Sequence, residues 1–109
     1  MNNKPIISII MNCYNGEAFL NEAINSITKQ TFENWELIFF DNNSIDKSEK
    51  IAKSFKDSRI KYFKSDRLLN LYDARNLAVK KTNGDYISFL DTDDMWTKDK
   101  LKVLTITYC

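Results

Sequence analysis

The run Ile6 to Met11 is almost wholly apolar and rich in Ile, which predicts a strand buried on both faces, as in a parallel sheet. A polar turn at Asn15 and Gly16 follows. From Glu17 to Gln30 the apolar positions Leu20, Ala23, Ile24 and Ile27 fall at i, i+3, i+4 and i+7, the spacing of an amphipathic helix. "WELIFF" predicts a second buried strand running into Asp41, and the polar "DNNS" a turn after it. A helix over about 46–55 comes next, with Asp46 and Glu49 at capping-box spacing and Ile51, Ala52 and Phe55 on its inner face. A short strand at Ile60 to Phe63, a loop holding Asp66 and Arg67, and a helix from Leu71 to Thr82 carry the chain onward. Ala74, Leu77 and Ala78 share one side of that helix, and Asn83 with Gly84 stops it. "YISFL" is the fourth strand.

Alternation of strand and helix over the whole chain is the pattern of right-handed crossover units. It predicts a single α/β domain over 1–109: a mostly parallel, Rossmann-like sheet with helices on both faces. If the first three strands step outward and the fourth returns beside the first, the strand order is 3-2-1-4 and the switch point lies between strands one and four. Ligands of such sheets bind beyond the carboxyl ends of the strands at that switch. The three polar turns "NCYNG", "DNNS" and "DTDD" all fall at those ends. No internal repeat, linker or low-complexity segment interrupts the pattern.

Composition narrows the chemistry. With 43% hydrophobic residues, 2 Gly and 1 Pro, the chain has the make-up of a packed globular protein. A formal charge of +1 gives no overall attraction to a polyanion, so no nucleic-acid partner is expected. The absence of His removes imidazole as base, relay or metal ligand, leaving carboxylates, amides, hydroxyls, Lys, Arg or a bound metal. Cys13 and Cys109 lack metal-site spacing and suit free thiols in a reducing compartment. The apolar stretch in "PIISIIMNCY" is far shorter than a membrane span and lacks the features of a secretory signal. No transmembrane segment and a cytoplasmic location are expected.

The densest chemical signal is "FLDTDDMW", where Asp91, Asp93 and Asp94 crowd into four positions. Neighbouring carboxylates repel, and a hard divalent cation shared with phosphate oxygens relieves that repulsion. Solvated turn residues or a helix start would explain the same acids. An EF-hand loop does not fit, because Trp96 stands where Gly is needed and Lys102 where Glu is needed, and no stretch matches a P-loop. In "NCYNG", Tyr14 offers a flat face to a base and Asn15 an amide, or the two are a packed aromatic and a turn residue. Asp41 accepts from a ligand donor or else caps the next helix with Ser44. Arg75 reaches a phosphate or base carbonyl, or pairs with Asp73 or Asp66. An aromatic platform, amides, carboxylates and a metal clamp in one place suit a nucleoside diphosphate and transfer chemistry in which the metal neutralises the leaving group. A non-catalytic nucleotide- or protein-binding module is the alternative. A magnesium-dependent phosphatase fits less well, since in that class the acidic motif normally follows the first strand.

Four blocks, in order, carry a family resemblance. "ISIIMNCYNGEAFLNEAINSITKQTFENWELIFFDNNSID" resembles the opening of a family 2 glycosyltransferase of the GT-A fold, with "DNNSID" where that family usually shows Asp-Asp-Gly-Ser-Thr-Asp. "ARNLAVKKTNGDYISFLDTDD" resembles its Ala-Arg-Asn segment and Asp-X-Asp motif. The resemblance implies a nucleotide-sugar site of Cys13, Tyr14, Asn15, Asp41, Asn42, Arg75, Asp91 and Thr92, with Tyr14 and Asn15 at the base, Asp41 or Asn42 on uracil, and Arg75 near base or diphosphate. It implies Mn2+ or Mg2+ held by Asp93 and Asp91, a UDP-sugar donor, a saccharide or lipid-linked acceptor, and inverting transfer. Asn12 stands where Pro is usual, Cys13 where a small Thr or Ala is usual, and Asn42 where a second Asp is frequent. Family members normally continue for another domain's worth of chain, so the catalytic base is expected beyond residue 109. A missing carboxy-terminal half or a partner chain would supply it, and this stretch alone is not expected to transfer sugar. The expected location is the cytoplasm, including the inner face of the membrane.

Overall fold

In the computed structural model, which describes residues 5–93, 95–98 and 100, strands and helices alternate as β1 (Ile7–Cys13), α1 (Glu17–Thr28), β2 (Trp35–Asp41), α2 (Ser48–Ser54), β3 (Ile60–Lys64), α3 (Leu71–Val79) and β4 (Tyr86–Phe89). Asp94 and Cys109 lie outside the described residues. The strands form one parallel sheet in the order β3-β2-β1-β4, the predicted arrangement. β4 therefore lies beside β1, and the switch point is where the sequence places it.

Side chains alternate across the sheet, so each strand feeds two cores. Ile7, Ile9, Met11 and Cys13 of β1 join Trp35, Leu37 and Phe39 of β2 on one face, covered by Leu20, Ala23, Ile24 and Ile27 of α1 and Ala52 of α2. Ile10, Ile38 and Phe40 form the opposite face, beneath Ala74 and Ala78 of α3. An isolated helix of α1's length is marginal in water. The burial of Leu20, Ile24 and Ile27, all fully enclosed, at about 1.5–3 kcal/mol each, is what holds α1 in place.

Several local expectations differ from the structure. α1 ends at Thr28, two residues early, because Gln30 folds back to donate from Nε2 to the carbonyls of Ser26 at 3.0 Å and Thr97 at 2.6 Å. α2 begins at Ser48 with Lys47 at its cap and no side-chain cap bond, so the Asp46–Glu49 capping box does not form. Asp46 instead accepts from the backbone N–H groups of Ser48 and Glu17, while Glu49 pairs with Lys53 and Lys64. α3 stops at Val79, capped at its start by Asn70, which accepts from the Asp73 N–H. Leu77, expected on the inner side, is exposed and lines an open groove with Phe40 and Phe63. Ala74 and Ala78 alone make the close approach.

Asn83 and Gly84 do not end a helix but anchor the turn into β4. Glu36, buried in β2, accepts from Ser8 Oγ at 2.6 Å, Lys61 Nζ at 2.8 Å and the Asn83 N–H at 2.6 Å. The Gly84 N–H donates to Ser8 Oγ, and a Cβ on Gly84 would sit 2.7 Å from that oxygen and 2.8 Å from the Ser8 nitrogen. Burial raises the Glu36 carboxyl pKa, but the bonds from Lys61, Ser8 and Asn83 outweigh it and hold the group below its usual range. This clamp sets where β4 starts, and so where "DTDD" emerges at its other end.

Candidate nucleotide-binding site at the sheet switch point

The turns after β1 and β2 are stitched together. The Asn42 N–H donates to the Cys13 carbonyl at 2.7 Å. The Asn15 N–H donates to Ser44 Oγ and the Gly16 N–H to Ser48 Oγ, each at 2.9 Å, and the Ile45 N–H returns a bond to Asn15 Oδ1. Asn15 and Asn43 take left-handed backbone angles, φ 52° and 59°, which Asn tolerates better than other non-glycine residues. Asn43 thus does the conformational work of the Gly in the family pattern, and the departure in "DNNS" leaves the turn intact.

Asp41 is fully buried. Its Oδ1 accepts from the Ser44 N–H at 2.8 Å and its Oδ2 from the Tyr62 hydroxyl at 2.5 Å. It caps no helix; it shapes the turn. Burial, and then donation to Asp41, push the Tyr62 phenol far above its usual pKa, so Tyr62 remains a donor. The Asn42 side chain, also buried, clasps the loop before α3: its Nδ2 donates to the Leu69 carbonyl at 2.7 Å, and its Oδ1 accepts from the Leu69 N–H at 2.8 Å and from Ser65 Oγ. Cys13 is enclosed, and burial raises its thiol pKa against weaker opposing bonds from Ser48, Gly16 and Ser44. It is a protonated packing residue, not a nucleophile.

The acidic turn meets these loops directly. A Cβ on Gly16 would lie 3.1 Å from both Cβ and Oγ1 of Thr92 and 3.2 Å from Cys13 Sγ, so the β1 turn and "DTDD" are in contact, and a side chain at 16 would push them apart. Asp91 and Asp93 flank Thr92 with both carboxylates exposed. Tyr14, two residues before Gly16 in sequence, is half exposed. Arg75 places its guanidinium carbon 5.5 Å from the ring centre of Phe89, the last residue of β4, rather than pairing with Asp73 or Asp66; Arg67 is the residue near Asp66. Of the expected residues, Tyr14 and Asn15 adjoin Gly16, which meets Thr92 between Asp91 and Asp93; Arg75 lies over Phe89, two residues before Asp91; Cys13, Asp41 and Asn42 are buried behind these turns. Ser48 and Tyr62 were not singled out by sequence, and Ser44 was expected only as a helix cap, whereas it bonds Asp41 and Asn15 within the turns. Tyr62 was within reach of the strand pattern, since it pairs with Phe39, two residues before Asp41 on the same face.

Among the described residues no group of three or more Asp, Glu, Cys or His stands close enough to enclose a metal. Two exposed carboxylates on one turn nevertheless fit a hard cation of the Mg2+ type, which takes one or two carboxylates and fills the rest of its shell from substrate phosphates and water.

Comparison with known proteins agrees with this architecture. The family model described as glycosyl transferase family 2 matches residues 8–105. An uncharacterized glycosyltransferase of Haemophilus influenzae is 45% identical over 92% of this chain and 41% of its own length. The Escherichia coli UDP-Glc:alpha-D-GlcNAc-diphosphoundecaprenol beta-1,3-glucosyltransferase WfgD is 41% identical over 90% of this chain and 39% of its own length. The crystal structure of S. aureus TarS 1-349 in complex with UDP superposes with a TM-score of 0.88 at 28% identity, covering 93% of this chain and 31% of that TarS chain. The chain thus spans about two fifths of the length of these curated relatives. Sheet order, motif order and these matches agree, and the chain belongs to glycosyl transferase family 2, in the GT-A fold.

Proposed function

We propose that this chain forms the donor side of a glycosyltransferase that binds a UDP-sugar with Mn2+ or Mg2+ for inverting transfer to a saccharide or lipid-linked acceptor. The observation that carries the reading is the contact of Gly16 with Thr92, which brings the aromatic turn and the acidic turn to one rim. Tyr14, exposed on that rim, gives the base a stacking face. Asp91 faces the ribose or sugar and shares the metal with Asp93, and Arg75 neutralises diphosphate charge. The metal, when bound, stabilises the negative charge that grows on the departing diphosphate. The wall of buried Asp41, Asn42 and Ser44 with the partly buried Tyr62 holds the rim rigid, which keeps the reacting bond oriented.

The donor follows from the likeness to TarS, whose complex holds UDP, and to WfgD, named for UDP-Glc and a diphosphoundecaprenol acceptor. An acceptor of that kind would place the whole protein at the cytoplasmic face of the membrane. Calorimetric titration with UDP tests the donor reading. Binding that requires Mn2+, is abolished by EDTA and is lost in Asp93→Asn supports it. Equal affinity with and without metal, or no affinity in Mn2+, overturns it.

A further inference from the structure

Among the described residues, one buried side-chain polar atom at this end of the sheet has no hydrogen-bond partner. Asn12 is the penultimate residue of β1, and its Oδ1 is enclosed and unpaired. It is paired in register with Phe40, whose side chain belongs to the α3-side core, so Asn12 faces that side. The β1–β4 register ends with Ile10 opposite Phe89; carried two residues further, it sets Asn12 abreast of Asp91. Buried orphan acceptors are rare in native proteins and call for a partner.

The neighbouring polar wall does not supply what a nucleobase needs. Both oxygens of Asp41 are engaged by Ser44 and Tyr62. The Asn42 amide is committed at both its nitrogen and its oxygen to Leu69 and Ser65. An uncharged acceptor oxygen is unsuited to a diphosphate, whose oxygens accept rather than donate; it suits an N–H or O–H. We propose that Asn12 is a specificity-determining residue for the donor base, its Oδ1 accepting from the imide N–H of a pyrimidine stacked on Tyr14. This rests on the nucleotide-sugar reading above and moves the base contact from Asp41 or Asn42 to Asn12.

The test is a chemical double-mutant cycle by calorimetry in Mn2+, with UDP and N3-methyl-UDP against wild type and Asn12→Leu. One neutral hydrogen bond, lost with its buried partner, corresponds to about tenfold in affinity. Wild type should bind UDP about tenfold more tightly than the methylated analogue, and Asn12→Leu should bind UDP about tenfold more weakly than wild type and no longer distinguish the two. Equal discrimination by both proteins overturns the assignment. Coupling to 2′-deoxy-UDP instead of the N3-methyl analogue also overturns it, in favour of a ribose contact. Thermal midpoints serve as the folding control, since Asn12→Leu removes an orphan and should not fall; should it fall, Asn12→Ser takes its place in the same cycle. Failure of wild type to bind UDP at all defeats the nucleotide-site reading itself, a result distinct from a wild type that binds while the cycle shows no coupling.

Discussion

The hydroxyl of Tyr62 is a sharp place to perturb the wall behind the site. In Tyr62→Phe the ring keeps its stack on Phe39, with centroids 5.6 Å apart, and its place under Lys53. Only the 2.5 Å donation to Asp41 is lost. Asp41 is fully enclosed, and its remaining side-chain bond, from the Ser44 N–H, goes to the other oxygen. The change therefore leaves one carboxylate oxygen bare in the interior. Hydrogen bonds to charged groups contribute about 1.5–3 kcal/mol, and a stranded buried acceptor sits at the upper end of that range. A loss of about 2 kcal/mol corresponds to a fall of about 8–16 °C in the melting temperature of a domain this size. Thermal and urea unfolding followed by circular dichroism would read it. A change below about 0.5 kcal/mol, the size of an ordinary surface substitution, would refute the claim that Tyr62 and Asp41 are one structural unit.

Other consequences follow from the opposite end of the sheet and from the turns. Because the folded-state pKa of Glu36 lies below its ordinary 4.5, its contribution is present above that value and is lost as pH falls through the folded pKa. Urea unfolding from pH 7 to pH 3 should show a steeper acid loss in wild type than in Glu36→Gln, and parallel curves would contradict the clamp. Gly84→Ala would press a methyl against Ser8 N at 2.8 Å and the Ile6 carbonyl at 3.0 Å, backbone atoms that cannot turn aside, so a loss of about 1–3 kcal/mol is expected in the same assay. Asn43→Val should cost about 1–2 kcal/mol because a β-branched residue resists the left-handed φ of 59°, whereas Asn43→Gly should be near neutral; equal stability of the two would count against a turn held in that conformation.

The sheet was legible because its inner strands are almost wholly apolar runs: "ISIIM" and "WELIFF", broken only by Ser8 and Glu36, suit burial on both faces, and alternation with helices then points to parallel crossovers. Helix α1 was legible because four apolar residues repeat at helical spacing and all four are buried. What escaped was long-range pairing. Asp46 has the right spacing to cap with Glu49, yet its carboxylate is drawn to the Glu17 N–H, 29 residues away, a contact no local pattern encodes. Leu77 has the periodicity of a core residue, but the flank it occupies faces an open groove. The candidate site was legible by residue type at the rim, where Tyr14, Asp91 and Asp93 are exposed. It was not legible in the wall, because whether Asp41 and Asn42 face a ligand or the interior depends on Tyr62, Ser65 and Leu69, contributed by the next strand and loop.

The central claim is that loops far apart in sequence share one cleft that takes a divalent ion with a diphosphate. Paramagnetic broadening by Mn2+ of backbone amide resonances, recorded with and without UDP, tests it most directly. With UDP present, broadening should centre on Asp91 to Asp93 and extend to Tyr14, Gly16 and Asn43, sparing Glu36 and Asn83 at the far end of the sheet. Broadening confined to a surface cluster such as Asp46 and Glu49, or unchanged by UDP, would contradict the account.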